Sequence, residues 1–155
     1  VGGRLALPTY GAYAGAKFAL EAVSDALRRE VAPLGVPVVV IQPGGVRTGI
    51  AARGVATANR LAEGMTPEQE QRYGGLVQAV NTLMVTGTSS GVTAEAAARV
   101  IGRAVTARRP RTRYTVGWDA ALLTRLPGLL SDRLLDRVAA ATLRRHHPGP
   151  AAVRG

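Results

Sequence analysis

The stretch from Tyr10 to Glu30 contains Lys17, the one lysine of the chain, while the other 19 of its 20 basic side chains are arginine. Lys17 follows Tyr13 by four residues, and in a helix that spacing puts both side chains on one face, with Cβ atoms about 5–6 Å apart. A phenol ordinarily has a pKa near 10, which is too high for proton exchange at neutral pH, and a nearby cation favours the phenolate. The pair is therefore a plausible acid/base catalyst for interconverting an alcohol and a carbonyl.

Lysine suits this role better than arginine, because its compact ammonium has three rotatable donors that can serve neighbouring hydroxyls while keeping a local positive charge. The competing interpretation is a buried tyrosine followed by a surface lysine one turn later. The spacing alone is only moderately specific and leaves both interpretations open.

The surrounding pattern predicts a helix and then a strand. Apolar positions from about Tyr10 to Val31 recur at helical spacing, and Pro33 and Gly35 signal the end. The β-branched run Val36 to Ile41 follows, closed by Pro43-Gly44-Gly45. Such a continuous apolar run after a helix is typical of a strand that a parallel sheet buries on both faces.

Further along, residues 46 to 65 read as irregular. Thr66, Pro67 and Gln69 predict a capped helix that runs to the mid-80s, and Thr93 predicts the cap of another helix, with Glu95 in its first turn. The sequence then predicts a short strand at 112–117 and helical pieces at 122–130 and 133–143 around Pro127-Gly128, with a disordered tail over 146–155. This order belongs to the α/β class, and we expect residues 1–145 to form part of a single domain.

Two motifs in order, "YAGAK" at 13–17 and "VVVIQPGGVRT" at 38–48, make the chain resemble the short-chain dehydrogenase/reductase family. That resemblance implies the C-terminal part of a Rossmann-like, doubly wound parallel sheet. It also implies that Tyr13 is the catalytic acid/base, and that Lys17 supports the phenolate and holds the ribose of NAD or NADP. The residues it implies along the nicotinamide, besides Tyr13 and Lys17, are Pro43, Gly44, Val46 and Thr48.

The wider pattern is most similar to the branch that contains retinol and 17β-hydroxysteroid dehydrogenases, which implies a lipophilic alcohol, ketone or aldehyde as substrate. Residues 49–64 and the next helix would form the substrate lid, where Leu61, Met65 and Leu76 line an apolar site or belong to the core. The stretch 122–138 reads as an amphipathic helix that packs on the core, with contact to a membrane surface as the weaker alternative.

The family's glycine-rich dinucleotide loop, its Asn-Ala-Gly segment and the residue that selects NAD or NADP are not found in the sequence. The resemblance implies a catalytic serine immediately before Val1, and Thr9 is not a substitute, because it lies one turn before Tyr13. We therefore expect these residues to be the C-terminal part of a longer oxidoreductase and to be inactive alone. The alternative is a non-catalytic relic or binding module.

Composition narrows the remaining classes. Cysteine is absent, which excludes disulfides and thiolate chemistry, and we expect no metal site, because His146 and His147 lie together in the predicted tail. Without a long apolar run or a secretory signal, the sequence predicts a cytoplasmic protein, and the resemblance implies a homo-oligomer at full length. The net charge of +10 invites a third interpretation, a nucleic-acid binder, but the arginines are scattered and no binding motif is visible, so we expect no nucleic-acid partner.

Overall fold

The computed structural model describes residues 2–146 of the 155-residue chain. Helices dominate, and two short strands lie between them. In chain order the elements are α1 (Gly11–Val31), a 3-10 turn (Ala32–Leu34), β1 (Val40–Pro43), α2 (Ile50–Ala62), α3 (Pro67–Ser89), α4 (Ala94–Thr106), β2 (Arg113–Val116), α5 (Trp118–Leu123), α6 (Leu126–Leu129) and α7 (Asp132–His146).

The two strands form a parallel sheet in which Val40 lies opposite Arg113 and Pro43 lies opposite Val116. Parallel neighbours need a long crossover connection, and here α2, α3 and α4 provide it. The α/β class is confirmed, and two parallel strands flanked by helices correspond to part of a Rossmann-like sheet.

The predicted helix bearing Tyr13 is confirmed, and its end falls where expected. After α1 the chain tightens into the 3-10 turn, and Gly35 adopts the left-handed conformation (φ 70°) that terminates it. The strand begins later in the chain than predicted: β1 starts at Val40 rather than Val36 and includes Pro43. The reason is tertiary, because β2 offers only four residues as a pairing partner.

The prediction that residues 46–65 are irregular was wrong, because α2 occupies most of that segment. Gly54 in its interior costs about 1 kcal/mol relative to alanine, which weakened the local signal. Packing against α3 supplies the missing stability, and it includes a hydrogen bond of 3.1 Å from the Asn81 side-chain amide to the Asn59 side-chain oxygen Oδ1.

The break predicted at Pro127-Gly128 also lies elsewhere, since both residues are inside α6. Proline is tolerated in the first turn of a helix, where its missing N–H has no partner in any case. The helices are instead interrupted at 124–125 and 130–131.

Both predicted helix caps are confirmed. The Thr66 hydroxyl accepts from the Gln69 N–H at 3.3 Å, and the Gln69 side chain accepts from the Thr66 N–H at 2.9 Å, which completes the capping box of α3. The Thr93 hydroxyl accepts from the Ala96 N–H at 3.1 Å at the start of α4. The helix α3 continues to Ser89, a few residues beyond its predicted end.

The hydrophobic core lies between α3 and α7. We call it the α3–α7 core: it consists of buried Ala79, Val80 and Leu143, with Tyr10, Leu76, Leu83 and Met84 packed against them. Leu76 therefore belongs to the core, whereas Leu61 on α2 is 72% exposed.

The helix α1 is packed differently, because Ala14 is its one buried residue and most of its large apolar side chains are exposed. At the other end of the chain, His146 is the last residue of α7, and the rest of the predicted tail lies outside the described residues. Between residues 2 and 146, no helix combines the length and hydropathy needed to cross a membrane.

Candidate active site

Tyr13 and Lys17 stand on the same exposed face of α1. The Lys17 Nζ atom lies 5.5 Å from the centre of the Tyr13 ring, and Tyr13 is 53% exposed. Among residues 2–146, no ion pair includes Lys17. The ammonium thus lies near the phenol, and both groups are open to a ligand from solvent.

Contacts farther along α1 show which end of the sheet this pair approaches. Glu21 accepts a hydrogen bond of 2.7 Å from the Gln42 side chain, near the carboxyl end of β1. Asp25, one turn later, pairs at 2.9 Å with Arg113, which lies opposite Val40 at the start of β1. The helix α1 therefore runs antiparallel to the strands.

The antiparallel direction of α1 leads us to expect the two candidate catalytic residues beyond the carboxyl ends of the strands. One helical turn rises about 5.4 Å and two strand residues rise about 6.6 Å, so each turn toward the start of α1 advances about two residues along β1. From these rises we expect Lys17 at about the level of Gly44 and Tyr13 beyond it. Ligands of open parallel sheets bind at this end.

The Pro43-Gly44-Gly45 turn is held on both sides by the backbone. The Gly44 N–H donates to the Val116 carbonyl at 3.0 Å, and the Gly45 N–H donates to the Asp119 carboxylate at 2.9 Å. A Cβ at Gly44 would overlap that carboxylate. Glycine is therefore required here for close approach to α5, independently of any ligand.

The other residues predicted to line the nicotinamide continue from this turn. Val46 is half-buried and forms a parallel bridge with Val92, supported by a hydrogen bond of 2.9 Å from the Arg47 N–H to the Val92 carbonyl. Thr48 is exposed, and its hydroxyl accepts from the Ile50 N–H at 3.4 Å where α2 begins. Pro43, Gly44, Val46 and Thr48 thus follow one another past the carboxyl end of β1, as a cofactor-lining segment requires, and their role stays a prediction.

Farther along the same face of α1, acidic side chains form an ion network that was not predicted from the sequence. Glu21 accepts 2.9 Å from the Arg113 Nε atom, and Arg113 also pairs with Asp25. The hydrogen bond from Arg113, followed by that from Arg28, lowers the pKa of Asp25 to about 2. Burial alone would raise the pKa of Glu21, but the hydrogen bonds from Gln42 and Arg113 outweigh it and lower that pKa.

A second phenol lies beside the first. The Tyr10 and Tyr13 ring centroids are 5.7 Å apart at an interplanar angle of 74°, an edge-to-face arrangement. Burial, and then the neighbouring Tyr13, raise the pKa of Tyr10. The phenolate form of Tyr10 is accordingly disfavoured.

Two sets of residues that were not predicted left a trace in the sequence. Tyr13, Lys17, Glu21 and Asp25 form one stripe at four-residue spacing, so acidic partners for a distant cation were visible on α1. Asp119 follows the end of β2 by three residues, at the edge where ligands of such sheets bind. No local signal tied either set to its partner, because Glu21 and Arg113 are 92 residues apart in sequence.

The residues present fit the sugar and nicotinamide end of a dinucleotide. An exposed ammonium and phenol offer hydrogen bonds to ribose hydroxyls, and the glycine turn leaves little side-chain bulk at the adjacent strand end. A Tyr/Lys pair on a helix that borders a parallel sheet, with a glycine turn after the first strand, is the arrangement that the sequence resemblance implies for the short-chain dehydrogenase class.

Comparisons with known proteins agree with this class. Residues 1–59 match the short chain dehydrogenase family model. The chain is 34% identical over 148 residues to human retinol dehydrogenase 5 (88% of this chain, 44% of the relative) and 37% identical over 138 residues to mouse retinol dehydrogenase 16 (81% and 42%). It is also 31% identical over 136 residues to the NADPH-dependent 3-dehydrocapnine reductase of Ornithobacterium rhinotracheale (88% and 46%).

Over residues 1–59 the chain matches the short chain dehydrogenase family, and the relatives that it matches over most of its length include members of the retinol dehydrogenase branch. It spans less than half the length of the relatives it matches. The predicted resemblance is thereby confirmed.

Proposed function

We propose that this chain supplies the acid/base pair and the nicotinamide-side wall of an NAD- or NADP-dependent enzyme that interconverts an alcohol and a ketone or aldehyde. The observation that carries the proposal is the exposed Tyr13–Lys17 pair on α1, the helix that runs antiparallel to β1. The family match and the relatives' names support the reaction class.

The chemistry divides between this chain and the cofactor. The cofactor supplies the hydride acceptor or donor when it is bound. In the oxidation direction the Tyr13 phenolate takes the hydroxyl proton of the alcohol while the carbon loses its hydride, and in reduction the Tyr13 hydroxyl gives that proton to the carbonyl oxygen. Lys17 keeps a positive charge beside the oxygen that changes protonation and donates to the ribose hydroxyls.

The substrate class that we propose is a lipophilic alcohol or carbonyl compound. Three relatives are named for retinol, which is such an alcohol. Leu61 is 72% exposed on α2 and Met65 is half-buried, so the segment that the resemblance implies as the substrate lid carries accessible apolar surface.

The phosphates of the dinucleotide need partners beyond those described here. No glycine fingerprint of the Rossmann type occurs in the 155 residues, and the chain spans 44% of the human relative. We therefore propose that this chain acts as the C-terminal part of a longer enzyme. From the family resemblance we also propose that this enzyme is homo-oligomeric, and we propose a cytoplasmic location for it.

The test begins with the protein as its own cells produce it, isolated and assayed with retinol and retinal in the presence of NAD or NADP. Replacing Tyr13 by phenylalanine removes the proton-transferring oxygen and should lower kcat/KM by about 10²–10⁴-fold. Chromatographic separation of the alcohol from the carbonyl product measures the rate.

The matched control is Tyr114→Phe, the same chemical change on β2, away from the site, where the hydroxyl accepts from the Arg111 N–H at 3.2 Å. It should leave kcat/KM within about twofold of the unaltered protein. Full activity in Tyr13→Phe would refute the proposed mechanism. Absence of turnover with any alcohol or carbonyl compound would favour the non-catalytic alternative.

A further inference from the structure

We infer that Tyr10 is a positioning residue that holds the Tyr13 ring in register with the α3–α7 core; this inference rests on the proposed function. Tyr10 immediately precedes α1 and packs against the α3–α7 core. Its ring also meets the Tyr13 ring edge-to-face at 5.7 Å. One side chain thus joins the packed helices to the phenol that exchanges the proton.

The Tyr10 backbone is anchored as well as its ring. Its N–H donates to the Leu7 carbonyl at 3.1 Å, and its carbonyl accepts from the Ala14 N–H at 2.8 Å in the first turn of α1. Because the main chain and the side chain are both held, the Tyr10 ring is a fixed surface on which Tyr13 rests.

The other neighbours of the Tyr13 ring give weaker support. Gly2 approaches so closely that a Cβ there would lie 2.9 Å from the Tyr13 Cε1 atom, but glycine offers no side chain of its own. The Lys17 Nζ atom lies 5.5 Å from the ring centre, at the end of an exposed, flexible side chain. Among these three contacts, Tyr10 is the one that itself packs on buried residues.

Ring position matters because proton transfer requires a particular distance and direction. A misplacement of about 1 Å can cost about 10²-fold in rate, even when every reacting group is present. The Tyr10 hydroxyl has no part in this role, since an aromatic edge at the right place is sufficient. Phenylalanine should therefore replace Tyr10, whereas an aliphatic side chain of similar bulk should not.

The experiment compares three variants of the whole enzyme. Tyr10→Phe keeps the ring, Tyr10→Leu keeps apolar bulk without the aromatic edge, and Leu143→Val loosens the same core without altering Tyr10. We expect kcat within about twofold of the unaltered enzyme for Tyr10→Phe and Leu143→Val, and about tenfold lower for Tyr10→Leu with KM changed less than about twofold. The pH profile of kcat should shift in Tyr10→Leu alone.

A second measurement reads ring placement without turnover. In the cofactor-free protein, the Tyr13 ring-proton resonances should keep their ring-current shifts in Tyr10→Phe and lose them in Tyr10→Leu. Thermal unfolding of each variant separates a positioning effect from a loss of stability.

The outcomes distinguish this inference from the proposed function. If Tyr13→Phe is inactive while Tyr10→Leu keeps its kcat and pH profile, the positioning role is wrong and the catalytic assignment stands. If kcat falls in Leu143→Val as far as in Tyr10→Leu, in proportion to the loss of Tm, the effect of Tyr10 is general stability and the inference also fails. If Tyr13→Phe is fully active, the proposed function fails, and the inference fails with it.

Discussion

One polar stripe on α1 has two halves that the fold uses differently. In the half nearer the start of the helix, Tyr13 and Lys17 face solvent. In the other half, Glu21 and Asp25 are tied to Arg113 at 2.9 Å each, and the exposed fractions of the Glu21 and Arg113 side chains are 13% and 24%. The same spacing and helix therefore yield an open pair and a closed network.

The difference indicates how charge serves function and fold in one element. Arg113 forms ion pairs with both acids, and these contacts hold α1 against both strands, because Gln42 of β1 joins the same network. Lys17 keeps its hydration, so its charge costs little to maintain and stays accessible to a ligand. The ion network of the closed half fixes α1 against the strands, and this placement positions the open pair, Tyr13 and Lys17.

The largest effect that tests this division is on activity alone. Lys17→Met should lower kcat/KM by about 10²–10³-fold, because the cation beside Tyr13 is lost, and it should change the free energy of unfolding by less than about 0.5 kcal/mol. Steady-state kinetics and chemical denaturation of the whole enzyme measure both. The control is Arg29→Met, which removes an exposed charge from the last turn of α1 and should change neither quantity.

The next effect is on stability, through the closed half. Arg113→Met leaves two acids without their shared partner and should lower the free energy of unfolding by about 2–3 kcal/mol. Arg28→Met removes a more exposed partner of Asp25, at 3.1 Å, and should cost no more than about 0.5 kcal/mol. Equal losses in urea denaturation would show that the network does not anchor α1.

A smaller loss of unfolding free energy should follow from a substitution in the Pro43-Gly44-Gly45 turn. Gly44→Ala forces a Cβ into the Asp119 carboxylate and should cost about 1–2 kcal/mol. Gly54→Ala is the matched change at a helical position with nothing within 4 Å, and it should stabilise the protein by about 0.5–1 kcal/mol. A neutral Gly44→Ala would mean that the turn can move away from α5.

The smallest effect is the pH dependence of the closed half. The pKa of Asp25 is lowered from 3.8 to about 2 in the folded protein, so its contribution is present above about pH 4 and is lost as the pH falls through about 2. The difference in unfolding free energy between the unaltered protein and Asp25→Asn should therefore shrink between about pH 4 and about pH 2. A difference that stays constant over this range would contradict the assigned partnership.

Local chemistry explains what could be predicted. The Thr66 and Thr93 caps, and the stop at Gly35 after α1 and its 3-10 turn, each depend on residues a few positions apart, and all are confirmed. The family resemblance depended on two short motifs in order, and it too is confirmed. The segment of α2 was wrongly predicted as irregular because its interior glycine has a low helix propensity, whereas packing against α3 stabilises the helix.

The sequence by itself determined the helix that carries Tyr13 and Lys17, their common face, and the class of chemistry that a phenol and an ammonium permit. The tertiary structure alone decided that β1 begins at Val40, that Asp119 holds the Gly44-Gly45 turn, and that Arg113 pairs with the acidic half of the α1 stripe. The physical reason is distance along the chain. A helix face repeats every few residues, whereas these contacts join residues 74 and 92 positions apart, whose pairing no local pattern records.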